Sequence, residues 1–270
     1  KLAGGRATVV LALKDEKSLA QWAPEYFEAK GGISIVSVSS HGADTDYLLL
    51  RAQVRPDSPA VDPNYNLYRA YLTSLLAVSL DRRLPLWLSN GLAAVFGNTS
   101  VRDDEVQVGR PVPWHLQRFN DRVRVPLRAL LEAQPGSDLV LKDGQREAFD
   151  AGCWVLVHYL TFADNGAHTA QLDRFIRLWL SGQPQDRALA EALGDLAAVE
   201  KQLPGYAERS ILPFGRLRAD LNIDAEKPPV RPVAAAEVAS LQAAVHVAMG
   251  RPDDAEAALQ RARAADASSP

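Results

Sequence analysis

Five histidines, one cysteine and scattered carboxylates are the groups from which this sequence could build a reactive site. His41, His115, His158, His168 and His246 stand far apart, and no two have metal-ligand spacing on one helix. Cys153 would need a nearby imidazole and acid to act as a nucleophile. His158 is five positions further on and falls on a different helical face, so Cys153 reads as a small buried apolar residue. No serine sits in a Gly-x-Ser-x-Gly elbow, and no glycine-rich phosphate loop is present. Two readings of His158 stand: a buried imidazole with a hydrogen-bond partner, or a wall of a cleft. His115, after Pro113-Trp114, belongs in a loop or at a helix start. Arg118, Arg122, Arg124 and Arg128 lack interleaved aromatics, so they read as a solvated face and not as a nucleic-acid site.

The elements that must position these residues show in the hydrophobic pattern. Short apolar runs at 8–13, 33–38 and 47–52 read as strands, with a helix over 18–30 between the first two. Asp62-Pro63 starts a helix to about Leu80, Asp81-Arg82-Arg83 turns, and Leu84-Pro85 opens a second, nearly all-apolar helix ending at Gly97-Asn98. Residues 105–108 form a strand or hairpin arm. Residues 149–162 make one strong helix, and 171–180, 187–193 and 197–203 are further helices. The proline-rich stretch 222–232 reads as a linker before a helical pair over 234–265.

Composition sets the outer limits. The chain has 270 residues, 47% hydrophobic and 23% charged, which suits a soluble globular protein with a sizeable core. A net charge of −3 implies no general polyanion-binding surface. One cysteine excludes an intrachain disulfide and any multi-cysteine zinc site. No apolar run approaches the roughly 18 residues that a membrane helix needs.

Two stretches carry a resemblance. One is Leu84-Pro85-Leu86-Trp87-Leu88-Ser89-Asn90-Gly91-Leu92-Ala93-Ala94-Val95-Phe96, and the other is Asp150-Ala151-Gly152-Cys153-Trp154-Val155-Leu156-Val157-His158-Tyr159-Leu160. With the Tyr47-Leu48-Leu49-Leu50-Arg51 run, they resemble the bacterial gluzincin-type zinc metallopeptidases over roughly residues 8–215. The resemblance implies an α+β fold: a small N-terminal mixed sheet, a mostly helical zincin body and a C-terminal helical hairpin. In that family a His-Glu-Tyr-x-His helix supplies two zinc ligands and the general base, and a Glu on the next helix supplies the third ligand. The best register places Arg69 and Thr73 at the two His positions, Ala70 at the base and Asn90 at the second-helix Glu. The segment from Thr73 to Asn90 is about one residue longer than usual. Asp150 stands where the family has a Tyr, and Gly152 where it has a Gln.

None of these residues can do the family's chemistry. Arg69 is a fixed cation, Ala70 carries no proton-transfer group, Thr73 is a poor zinc ligand and Asn90 is neutral. The expectation is therefore a pseudo-peptidase without zinc, which binds a peptide or protein partner through Arg69, Asn90, Asp150 and His158. Arg69 should form a charge-assisted cluster with Asp150 or Asn90 in place of the metal. Two alternatives stay open: an active zinc-dependent hydrolase with its site elsewhere, and an adaptor working through the C-terminal helices. No nucleic acid, membrane span or oligomeric state is implied, and the compartment is open, export included.

Ala243, Gly250, Ala255, Ala262 and Pro270 are similar to the small-residue pattern of one tetratricopeptide repeat, as any Ala-rich helical pair is. The expected division is 1–221 for the peptidase-like domain, 222–233 for the linker and 234–270 for the hairpin.

Overall fold

The computed structural model describes residues 7–24, 27, 37–52, 60–62, 65–102, 104–121, 124–142, 144–218 and 231–266. The fold is α+β, with twelve helices and two three-stranded sheets among those residues. They group into two compact units, 1–54 with 221–270 and 55–220.

In the first unit, β1 (Ala7–Leu13), β2 (Ser37–His41) and β3 (Thr45–Arg51) form a mixed sheet in the order β1-β3-β2. β1 runs parallel to β3, and β2 antiparallel to it. Helix α1 (Glu16–Trp22) starts at Asp15, whose carboxylate accepts from the Ser18 amide at 2.8 Å. The sequence suggested a helix as far as Lys30, but α1 stops at Trp22. Pro24 explains this, because a proline ring disfavours helical backbone at the residue before it. The expected strand at 33–38 lies mainly outside the described residues, as does most of the linker. Helices α11 (Ala235–Ala248) and α12 (Pro252–Ala265) pack through buried Ala236, Ala239, Ala243, Ala255, Ala258 and Ala262. Val245 of α11 joins Leu19, Trp22 and Leu49 in one apolar cluster.

The second unit is organised around α7 (Gln145–Phe162), whose residues from Ala148 to Leu160 are buried except Asp150. Helices α2 (Tyr65–Ser79), α3 (Leu86–Gly97) and α4 (Pro113–Asn120) precede it, and α3 and α4 pack on it. Two glycines set the spacing. A Cβ on Gly91 would meet Val157 Cγ2 at 2.3 Å and the Cys153 carbonyl at 2.6 Å, so α3 and α7 cross there. A Cβ on Gly97 would come within 3.1–3.2 Å of Arg69 main-chain atoms, which brings α2 tight against the end of α3. Asn98 then ties the chain behind α3. Its side chain is fully buried, donates to the Arg110 carbonyl at 2.9 Å and accepts from the Asp62 amide at 3.0 Å.

Short helices α5 (Leu127–Glu132) and α6 (Asp138–Leu141) lead into α7. After it come α8 (Thr169–Leu180), α9 (Gln185–Leu193) and α10 (Leu196–Ala207). Strands β4 (Ser100–Arg102), β5 (Glu105–Val108) and β6 (Gly215–Arg218) form the antiparallel sheet β4-β5-β6. The basic run is largely neutralised locally. Arg118 meets Asp121 at 3.2 Å, Arg128 meets Glu132 at 2.9 Å and Arg124 lies 3.9 Å from Glu208, while Arg122 is outside the described residues. No helix among the described residues is long and apolar enough to cross a membrane.

The turn between α2 and α3 is clamped to the end of α8. Arg82 lies 3.4 Å over the Trp179 ring, and its Nη1 donates to the carbonyls of Trp179 (2.6 Å) and Gln183 (3.0 Å). The Trp179 indole in turn donates to the Arg83 carbonyl at 2.9 Å. Arg82→Ala is expected to cost about 2 kcal/mol of unfolding free energy, from the cation–π contact and two charge-assisted hydrogen bonds. Urea denaturation checks this. Arg82→Lys should recover only part of the loss, because an ammonium cannot lie flat on the ring and reach both carbonyls.

Candidate functional site

Tyr65 and Arg69 lie one helical turn apart on the inward side of α2, and Thr73 follows one turn later at an exposed position. Arg69 Nη2 donates to Asp150 Oδ2 at 2.9 Å. Asn90 Nδ2 donates to the other oxygen, Asp150 Oδ1, at a long 3.4 Å. Residues from three helices thus meet on one carboxylate. The ion pair is sheltered but not sealed: the Arg69 side chain is 26% exposed and that of Asp150 18%. Asp150 beside it raises the Arg69 pKa further above its ordinary value, against the opposing effect of burial.

Behind the pair lies a second polar contact. The Tyr65 hydroxyl is 3.0 Å from His115 Nε2, and both residues are buried. Burial pushes the Tyr65 phenol up to about 12, so it keeps its proton. Burial, with the Arg69 charge adding to it, lowers His115 to about 3. The neutral imidazole stacks on Trp154 at 6.1 Å between centroids, and Tyr65 meets Trp114 edge-on at 5.7 Å. Cys153 is fully buried, and burial raises its thiol well above the usual range. It is a packing residue and not an available thiolate.

Of the residues singled out from sequence, Arg69, Asn90 and Asp150 come together. Thr73 does not join their hydrogen bonds; it is exposed, and its hydroxyl donates back to the Arg69 carbonyl at 2.9 Å. Ala70 offers only a methyl group. His158 lies two turns along α7 from Asp150, about 12 Å by helical rise. It is fully buried with both ring nitrogens engaged. Nε2 faces the Gly109 carbonyl at 2.9 Å and must donate, so Nδ1 accepts from the Tyr206 hydroxyl at 2.7 Å. Of the two readings of His158, the geometry is that of a buried imidazole with partners. Tyr65 is the residue that the sequence did not single out, and for His115 it gave the place but not the partner. A tyrosine four positions before Arg69 was a visible signal for the first. The side-chain contact across fifty residues had none.

The zinc that the family resemblance implies does not fit these residues. A guanidinium stands at one of the two His positions, and its charge opposes a divalent cation. Among the described residues, no three His, Cys, Asp or Glu side chains gather in a way that could hold a metal ion. What the cluster offers is hydrogen bonding of both signs. Arg69 has N–H groups beyond the one given to Asp150, and Asn90 keeps its side-chain carbonyl as an acceptor. Comparison of the chain with models of known protein families, with characterised proteins and with solved structures finds no match.

Proposed function

We propose that residues 55–220 are a metallopeptidase-like scaffold that has lost its metal site and binds a peptide or protein segment without cleaving it. One observation carries the reading: Arg69, Asn90 and Asp150, from α2, α3 and α7, meet at 2.9 and 3.4 Å. These are the positions at which the resemblance puts a metal ligand, the third ligand and a Tyr. The ion pair brings no net charge, and the cluster presents both donors and acceptors. That chemistry suits a peptide main chain better than a strongly charged ligand. Cys153 is sealed in the core and His115 is held neutral, so neither offers a nucleophile or an open base beside the pair.

Elemental analysis and a proteolysis assay test the inactive part of the reading. Protein purified from zinc-supplemented medium is expected to hold far less than one equivalent of zinc, and to show no peptide cleavage that a chelator abolishes. Stoichiometric zinc, with chelator-sensitive cleavage beside it, would establish an active hydrolase instead. The binding part is tested by selecting from a random peptide library. Selected peptides should lose affinity for Asn90→Ala, a change that leaves the ion pair intact.

A further inference from the structure

We infer that a groove formed by α5, α9 and α10 is a second docking site, whose occupant is a cationic amphipathic peptide segment. Two hollows adjoin there. The larger, about 560 Å³, has an apolar floor of Leu127, Leu131, Leu189 and Leu196. The smaller, about 260 Å³, lies over Leu130 and Leu203. Leu127 and Glu200 line both, so the hollows are neighbours on one surface. Two adjoining apolar depressions suit two apolar side chains of one chain more than a single small molecule.

The rim decides the sign of the partner. Arg128 is tied to Glu132 at 2.9 Å and also feels the charge of Asp186, while Arg124, on the smaller hollow, lies 3.9 Å from Glu208. Asp186, Asp195 and Glu200 have no basic side chain in an ion pair with them among the described residues, and all three line the larger hollow. Two of these acids are held in place by backbone contacts. Asp195 accepts from the Ala197 and Ala198 amides at 3.0 and 3.3 Å, and Glu200 from the Leu127 amide at 2.7 Å. Around the larger hollow Glu132, Asp186, Asp195 and Glu200 outnumber the single Arg128, and this excess of negative charge beside an apolar floor is complementary to lysine or arginine flanking large apolar side chains.

This groove is separate from the Arg69 cluster. Gly152 lines the smaller hollow and sits two residues after Asp150, about 200° around α7. The inference therefore does not rest on the reading of the cluster.

The test is fluorescence anisotropy on the full chain with a labelled Leu/Lys amphipathic peptide and a Leu/Glu analogue of the same apolar pattern. The Leu/Lys peptide is expected to bind with an affinity that falls as salt rises, and the Leu/Glu peptide about tenfold or more weakly. Asp186→Asn with Glu200→Gln keeps the acceptor for the Leu127 amide, and should weaken the Leu/Lys peptide about tenfold. Ala190→Trp, at an exposed position on the groove wall, should block it while the melting curve stays that of the parent. Asn90→Ala should leave this binding unchanged. Equal affinity for the two peptides overturns the inference, as does an affinity that neither groove variant alters. Dodecyltrimethylammonium saturating the groove where the peptide fails to bind would reassign the occupant to a small cationic amphiphile.

Discussion

Stability is expected to fall steeply as pH drops from about 6.5 toward 4, because two buried imidazoles stay neutral in the fold. Burial lowers His115 from 6.5 to about 3 and His158 from 6.5 to about 4. In that window the unfolded chain takes up protons that the folded chain refuses. Stability is then fully present above the unfolded value and is lost as pH falls toward the folded values. Each histidine contributes a slope of up to roughly 1.4 kcal/mol per pH unit. The charged and titratable groups near His115 are Arg69, Asp150 and Tyr65; Arg69 acts in the same direction as burial and Asp150 against it. His158 faces Tyr206 and the Gly109 carbonyl, and the carbonyl only partly offsets its burial. Urea midpoints measured across the window check this. His115→Gln should flatten about half of the slope, and a slope unchanged in both His115→Gln and His158→Gln would reassign it to carboxylates.

The second large effect is expected at the ion pair. Asp150→Ala leaves the Arg69 guanidinium without its counter-charge between helices. Breaking a fully buried pair costs about 3–5 kcal/mol. Partial exposure of both partners lets water screen the survivor, which brings the expected loss to about 2–3 kcal/mol. Replacing both residues, Arg69→Met with Asp150→Leu, should cost less than Asp150→Ala alone, because no lone charge remains. A double-mutant cycle read by urea denaturation should give a coupling of about 1 kcal/mol or more. Additive losses would mean that water already screens the pair. Asn90 adds little to this balance, since its bond to Asp150 is long at 3.4 Å.

The sequence was informative wherever the governing forces are local. The nearly all-apolar stretch after Leu84-Pro85 could only be a buried helix, and α3 is that helix. Asp81-Arg82-Arg83 interrupts the pattern between α2 and α3, and Leu86 begins the new helix one residue after Pro85. Helix α4 was harder to read. It is short and polar, and Pro113 at its first position is its main signal; His115 does stand at the helix start, but nothing in the sequence shows its partner Tyr65. Helix α1 is shorter than its apolar spacing suggests, because the effect of Pro24 on Ala23 outweighs periodicity.

Sequence alone determined the α+β class, the α2–α3 helix pair and the inability of Arg69, Ala70, Thr73 and Asn90 to serve as zinc ligands or base. The helix pair follows from the 3.6-residue period and the last from side-chain chemistry at the positions the resemblance assigns, while the class was what the resemblance implied. Only the tertiary structure decided which groups meet. It set Asp150 against Arg69 across 81 residues and Tyr206 against His158 across 48. It also drew Val245 of α11 into one cluster with Leu19 and Leu49 of the first strands and helix. Such partners are chosen by how apolar faces close on one another, at Gly91 and Gly97 above all. No local pattern in a chain records which distant face will fill the space that a missing Cβ leaves.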